Sequence, residues 1–317
     1  MRILVYGAGV QGSIYGALLA KSGHEVTFLG RGLRAAQLAD GLTLKGVLGD
    51  SDVDIERPVL ATRLNPEDHY DICIVAVRRD QINAILPSLA ASAIPLIAFM
   101  HNHADGSQAL RDIVGADRCV IAFPGAGGAI DADGTVRYAL IAEQATMVGQ
   151  EPEFGTGPKV LRDILQEAGL RVTTTPDPDA WLRRHAVMVG ALTGALWSYG
   201  CDAAALVRSR DGMRDFVLAV REGYRSLDAV AVAAAPLALR AIFVWVPLPL
   251  SVAYWRRYLS GPRGEILFAA HARHAAGEMA QLADEVLVLM RASGIATPVF
   301  DRLRAAIPVL PPAAGGR

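Results

Sequence analysis

The chain has 317 residues, 52% of them hydrophobic and 20% charged, with a formal net charge of −1. That length suits two domains of ordinary size, and that composition folds without disulfide staples. The near-neutral balance gives no electrostatic reason to expect nucleic acid or an anionic membrane as partner. Lysine occurs only at Lys21, Lys45 and Lys159, so arginine carries almost all the positive charge, a bias read as compositional. Cys73, Cys119 and Cys201 are odd in number, widely spaced and set in apolar surroundings. They form neither a metal-ligand spacing nor a disulfide framework, which fits a reducing compartment. Met1–Tyr6 runs straight into a glycine loop with no signal-peptide layout, and a cytoplasmic location is expected. The uncharged stretch 241–255 is too short for a bilayer and is interrupted by Pro247 and Pro249, so it reads as buried or pocket-lining.

Along the first half, short apolar runs alternate with helical patterns. Arg2–Tyr6 predicts a buried strand, Gly12–Ser22 a helix with small residues on one face, and Glu25–Leu29 a second strand. Asp71–Val77, Ile94–Met100 and Cys119–Phe123 are continuous apolar runs of the kind buried on both faces of a sheet. The pattern predicts a doubly wound parallel sheet. Thr135–Tyr138 and Ala145–Val148 read as later strands of hairpin character, and Phe123–Gly128 as a glycine-rich loop. After the break at 175–179 the chain reads as helical almost to its end, with Asp211–Ala235 and Arg263–Ser293 the longest candidates. The expected fold class is therefore α/β: an N-terminal Rossmann domain over 1–175, followed by an all-helical domain over 176–317.

Gly7-Ala8-Gly9-Val10-Gln11-Gly12 is a G-x-G-x-x-G that follows a strand and opens a helix, the context in which the motif binds a dinucleotide. Gly7 permits the tight turn, Gly9 lets the backbone approach a pyrophosphate, and Gly12 lets helix and strand pack closely. The amides of Val10 and Gln11 lie in the first helical turn, where the helix dipole favours an anion. An NAD site places a carboxylate at the end of the second strand; here Phe28-Leu29-Gly30-Arg31 offers none. Arg31, assisted by Arg34, suits a ribose 2′-phosphate instead. The expected cofactor is NADPH/NADP+.

Further residues carry a resemblance. Gly23-His24-Glu25-Val26-Thr27 follows the glycine helix, Arg78 with Gln81 follows the apolar strand ending at Val77, and His101-Asn102 follows the next. Trp181-Leu182-Arg183, Glu278 and Ser293-Gly294-Ile295-Ala296-Thr297-Pro298 stand in the second half. Together these resemble the ketopantoate reductase (2-dehydropantoate 2-reductase) family, as a divergent member whose second domain is like the helical domain of 6-phosphogluconate dehydrogenase. The resemblance implies an oxidoreductase that moves a hydride from NADPH to a 2-keto acid or similar carbonyl. It implies that Asn102 contacts substrate or cofactor near the nicotinamide, that Arg78 and Gln81 lie at the cofactor, and that Glu278 binds hydroxyl groups. The family's catalytic lysine is replaced by Arg183 and its first-domain lysine by Arg78, while its asparagine one turn on falls at Val187 or Met188. Arginine orients a carboxylate or carbonyl but is a poor proton donor. A histidine near pH 7 suits that task, with His185 first and His101 second. His271, His274 and Glu278 stand at i, i+3 and i+7 of one helical pattern, and ordinary hydrogen bonding is preferred there to a metal.

The chain thus reads as a reductase of a small-molecule carbonyl, another 2-keto acid in particular, with Arg183, His185 and Asn102 as the catalytic group. No metal, nucleic acid or membrane partner is expected, and a homodimer is one allowed assembly. The alternatives are an NADP(H)-binding sensor or scaffold of weakened activity, and an opine or 3-hydroxy acid dehydrogenase.

Overall fold

The computed structural model describes residues 1–150, 155–233 and 236–308. By contact the chain divides into two compact units, one of residues 1–101 and 107–178, the other of residues 102–106 with the chain from Asp179 onward. The return of 102–106 to the second unit has no signal in the sequence.

In the first unit, β1 (Arg2–Tyr6), α1 (Val10–Lys21), β2 (Glu25–Leu29) and α2 (Gly32–Ala39) follow one another. Next come β3 (Leu42–Gly46), β4 (Val53–Ile55), β5 (Val59–Ala61), β6 (Ile72–Val75) and α3 (Ile82–Ala91). The chain continues through β7 (Ile97–Met100), α4 (Gln108–Val114), β8 (Cys119–Phe123), β9 (Ala126–Ile130) and β10 (Val136–Leu140). It closes with β11 (Thr146–Gly149), α5 (Gly157–Glu167) and β12 (Val172–Thr175). The main sheet runs β12-β11-β8-β7-β6-β1-β2-β5. From β5 to β8 every pairing is parallel, as the buried apolar runs predict; β11 is antiparallel to β8 and parallel to β12.

A second sheet, β4-β3-β10-β9, was not expected. The hairpin pairs 126–130 with 136–140, whereas Thr146–Gly149 belongs to the main sheet. Ala126-Gly127-Gly128 is therefore strand, not loop: Gly128 pairs with Tyr138 across the hairpin. Glycines carry no side-chain alternation, so backbone pairing alone makes this strand and period counting misses it. Helix α1 packs against β2 on one side and against β3, β4, β9 and β10 on the other. This double cover explains why Gly12-Ser13-Ile14-Tyr15-Gly16-Ala17 is buried all round rather than along one stripe. Tyr15 and Thr146 hydroxyls lie 2.6 Å apart, the Gly125 N–H donates to Tyr15 Oη at 2.8 Å, and burial pushes the phenol up to about 12.

The second unit holds α6 (Pro178–Trp197), α7 (Ala203–Arg208), α8 (Arg210–Ala229), α9 (Leu237–Arg240) and α10 (Leu248–Tyr258). Then come α11 (Pro262–Gly264), α12 (Ala270–His274), α13 (Ala276–Ala292) and α14 (Pro298–Ala306). Two π-helical turns, Ala241–Trp245 and Glu265–Ala269, lie among them. The long helix expected over 263–293 breaks at Ala275 (φ −118°, ψ 32°), so its His271 and His274 sit in a separate short helix from Glu278. The last residues of the helix expected over 211–235 lie outside the described residues, and α8 ends at Ala229. Phe243 stacks on Trp255 at 4.9 Å with Phe216 edge-on to both, which bears out core packing for part of the aromatic stretch. No described helix is long and apolar enough to cross a membrane.

Several arginines act as backbone clamps. Arg118 donates to the carbonyls of Leu89, Ala90, Ser92, Ile94 and Val114, closing the C-terminal end of α3. Arg184, 1% exposed, donates to Ala233 O, Val232 O and Asp228. Glu222 does the converse at the start of α14: its carboxylate accepts from Val299 N at 3.0 Å and Phe300 N at 2.9 Å, two amides that no intrahelical carbonyl reaches. Removing it leaves both donors buried. Glu222→Ala is expected to lower stability by about 2–6 kcal/mol, at roughly 1–3 kcal/mol for each of the two orphaned donors, in chemical denaturation. An unchanged midpoint would show that water replaces the carboxylate.

Candidate functional site

In the first unit the strand order reverses between β1 and β6, both of which continue at their carboxyl ends into loops. Such a switch point is where open α/β sheets bind ligands. The glycine turn lies here. Gly7 has φ +100°, and a methyl group on it would sit 2.6 Å from the Val77 side chain after β6. A methyl group on Gly12 would sit 1.9 Å from Gly7 O. Both positions exclude a side chain, the first by conformation as well as space. A methyl on Gly9 would meet no atom within 4 Å, so the open side of the turn faces free space. Gly9 begins α1 and no described side chain caps it, which leaves the first-turn amides, including those of Val10 and Gln11, for another acceptor.

The side chains around this turn divide sharply. Gln11 Nε2 donates to Ala126 O at 2.8 Å, which ties α1 to β9 and makes its side chain a structural link. Arg34 is also committed: Nε donates to Ala8 O at 2.8 Å, Nη1 to Gly134 O at 2.9 Å and Nη2 to Ser13 Oγ at 2.8 Å. It braces the turn from beneath against the tip of the β9–β10 hairpin, which corrects the expectation that it assists Arg31. Arg31 stands exposed in extended conformation ahead of α2, just beyond β2, with no acidic residue in the first turn of that helix. Arg78 is exposed and lies 3.1 Å from its neighbour Asp80, and Gln81 is exposed at the start of α3. His101, 5% exposed, follows β7 and meets Phe99 edge-on.

In the second unit the structure gathers residues that the sequence scatters. The 102–106 segment lies against α6 and α13. Ala104 O accepts from Arg183 Nε at 3.2 Å, and Ala104 N–H donates to Glu285 Oε2 at 2.9 Å. His103 Nε2 lies 3.5 Å from Asp179 Oδ1, and Gly106 (φ +94°) approaches Arg183 Nη2 so closely that a methyl group there would be 3.0 Å away. Asn102 Oδ1 is buried and has no hydrogen-bond partner among the described residues. A ligand donor, such as a hydroxyl or an amide, would satisfy it.

His185 does not fit the role of acid. It is buried, stacked on Trp181 at 4.9 Å, and burial pushes its pKa down to about 3. At neutral pH the ring carries no proton to spare. Val187 and Met188, where the family's asparagine falls, are buried in the helical core. Glu278 is a buried carboxylate in the first turn of α13. His271 and His274 are exposed, and His274 Nδ1 lies 2.7 Å from Ala270 O. Among the described residues no three His, Cys, Asp or Glu side chains are grouped to hold a metal. Sequence reasoning missed Asp179, Glu285 and His103, whose only signal is the loop they converge on.

Residues 3–153 match the family model described as ketopantoate reductase PanE/ApbA. A 2-dehydropantoate 2-reductase of Archaeoglobus fulgidus is 27% identical over 196 residues, which cover 60% of this chain and 62% of that protein. One of Halobacterium salinarum is 24% identical over 243 residues, covering 73% and 77%. Among solved structures, D-mandelate dehydrogenase in complex with NADH and anilino(oxo)acetate superposes with a TM-score of 0.74 at 18% identity, covering 97% of both chains. A ketopantoate reductase of Ralstonia eutropha gives 0.73 at 18%, again over 97% of both. At such identities the solved structures establish the fold. Over residues 3–153, just under half of its length, the chain is similar to the ketopantoate reductase family, and the curated relatives it matches are 2-dehydropantoate 2-reductases.

Proposed function

We propose that the chain is an NADPH-dependent reductase of a small carbonyl compound, a 2-keto acid other than ketopantoate, with residues 1–175 holding the cofactor and 176–317 the substrate. The observation that carries this reading is the uncapped, outward-open glycine turn at the switch point of the sheet. Its geometry fits a pyrophosphate, through backbone amides and the positive end of α1. Arg31, with no carboxylate beside it at the end of β2, suits a 2′-phosphate; Arg78 and Gln81 line the same end of the sheet from the β6–α3 connection. NADPH, when bound, supplies the hydride. Arg183, holding Ala104 O through Nε, presents its Nη edge to a carboxylate, and Asn102 offers its amide to the carbonyl or the nicotinamide. Glu278 accepts from a hydroxyl. With His185 neutral, the proton comes from water or from His101.

A sensor that binds NADP(H) without turnover is the second reading, favoured by the neutral His185 and by the lack of any lysine after Lys159. Single-turnover oxidation of NADPH against a panel of 2-keto acids, with an amino acid co-substrate included, separates the two. Turnover with any member supports the reductase; tight binding without turnover supports the sensor.

Three outcomes are expected. Arg31→Ala weakens NADPH about tenfold or more by fluorescence titration and leaves NADH nearly unchanged, since one charge-assisted contact is worth roughly 1.5–3 kcal/mol. Equal loss for both nucleotides would remove the 2′-phosphate assignment. Gly12→Ala abolishes binding of either nucleotide, because its methyl group collides with Gly7 O. His185→Gln keeps most turnover and gains resistance to acid. In the unfolded chain the ring takes a proton below its ordinary 6.5, whereas the folded chain refuses it down to about 3. Stability is therefore lost as pH falls through that window, and the substitution removes this loss. A wild-type acid-unfolding curve in the variant would count against a buried neutral ring.

A further inference from the structure

Within the second unit, the backbone of one residue, Ala104, is held through its N–H and its C=O by ionic side chains of two different helices. Gln281 Nε2 donates to Glu285 Oε1 at 3.0 Å, one turn along α13. Glu285 Oε2 accepts from Ala104 N, and Ala104 O in turn accepts from Arg183 Nε on α6. The N–H and C=O of Ala104 belong to the two successive peptides that flank its Cα, so two charge-assisted bonds, one from each helix, fix both of those peptides. Two residues before Ala104 stands Asn102, whose buried Oδ1 lacks a partner among the described residues. Two residues after it stands Gly106, against which Arg183 Nη2 lies. The clamp engages Arg183 through Nε, which restrains the plane of the guanidinium, while Nη2 lies beside Gly106 with Asp179 Oδ2 close to the same glycine. A guanidinium on a long side chain otherwise samples many rotamers, and ordering it in advance lowers the cost of binding.

We propose that Glu285 is a positioning residue for this site: acting through the Ala104 backbone, it orients Arg183 and the Asn102 amide and so sets the affinity for the carboxylate of a 2-keto acid. The proposal rests on the reductase reading above. Glu285 touches neither substrate nor cofactor in this role, and Arg183 and Asn102 carry its effect.

The test uses the full chain with Glu285→Ala, Glu285→Gln, Arg183→Ala and the double variant Glu285→Ala/Arg183→Ala. Steady-state kinetics with NADPH are measured on a 2-keto acid and on an uncharged ketone, alongside hydrogen exchange of the peptide spanning 102–106. For Glu285→Ala, KM for the keto acid is expected to rise about tenfold or more, with kcat and the uncharged ketone changing by no more than about threefold. Exchange at 102–106 accelerates while the rest of the second unit keeps its protection. Glu285→Gln retains an acceptor for Ala104 N–H and stays within about threefold of wild type. In the Arg183→Ala background the alanine substitution at 285 adds less than about twofold, the mark of one residue acting through the other.

Equal losses on charged and uncharged substrates, full additivity with Arg183→Ala, or unchanged exchange at 102–106 would each overturn the proposal. Should Glu285→Ala fail to fold, Glu285→Asp, shorter by one methylene, reads the same KM split and the same exchange. If the wild-type chain turns over no carbonyl at all, the reductase reading fails. Unchanged exchange at 102–106 in Glu285→Ala then overturns the positioning role independently, whereas acceleration there upholds the tie from Glu285 to Ala104.

Discussion

The first unit depends on one constraint: α1 is buried on both flanks, between the main sheet and the β4-β3-β10-β9 sheet. A helix so placed has no polar face left, and its unsatisfied backbone groups are confined to its ends. At the N-terminal end the close approach of Gly12 to Gly7 O presses α1 onto β1 and forbids any side chain at the contact. The Tyr15–Thr146–Gly125 hydrogen bonds and the Gln11 bond to Ala126 O lock the same helix to β9 and β11. The amides that emerge at residues 10–12 are thus held by the packing of the whole unit. Anion affinity there is a property of the fold before it is a property of any side chain.

Arginine has a second use throughout this chain, as a donor to backbone carbonyls. Arg34 braces the glycine turn, Arg118 closes α3, Arg184 holds the segment after α8, and Arg221 donates to Phe243 O and Val246 O around a π-helical turn. The planar fork with five donors satisfies several carbonyls at once, which a single ammonium group does less well. The scarcity of lysine therefore has structural uses as well as a compositional origin. It also changes the chemistry open to α6. At position 183 the guanidinium offers a planar set of donors, one of which holds Ala104 O.

The parallel order of the main sheet was legible because apolar runs bounded by glycine and helix signals leave few other folds. The glycine turn was legible because its residues are local and each spacing has a steric reason. Arg34 misled because proximity in sequence to Arg31 says nothing about direction: its side chain turns under Ala8. His185 misled because a histidine two residues from Arg183 looks available until its stack on Trp181 and its burial are seen. Strand β9 escaped because Gly127 and Gly128 carry no periodic signal, whereas its partner β10 was legible at 135–138.

From its sequence alone this protein declared a Rossmann sheet, a G-x-G-x-x-G turn with no carboxylate at the end of the second strand, and a helical second half without lysine. These are local matters, decided by residue type at fixed spacing along one strand, one turn or one helix. Only the tertiary structure decided that residues 102–106 join the helical unit and that Arg183 and Glu285 hold the two peptides that flank Ala104. It also decided that His185 is neutral. Each of these depends on contacts between residues 79 or more positions apart, or on burial by distant segments, and neither leaves a period or a motif in the chain.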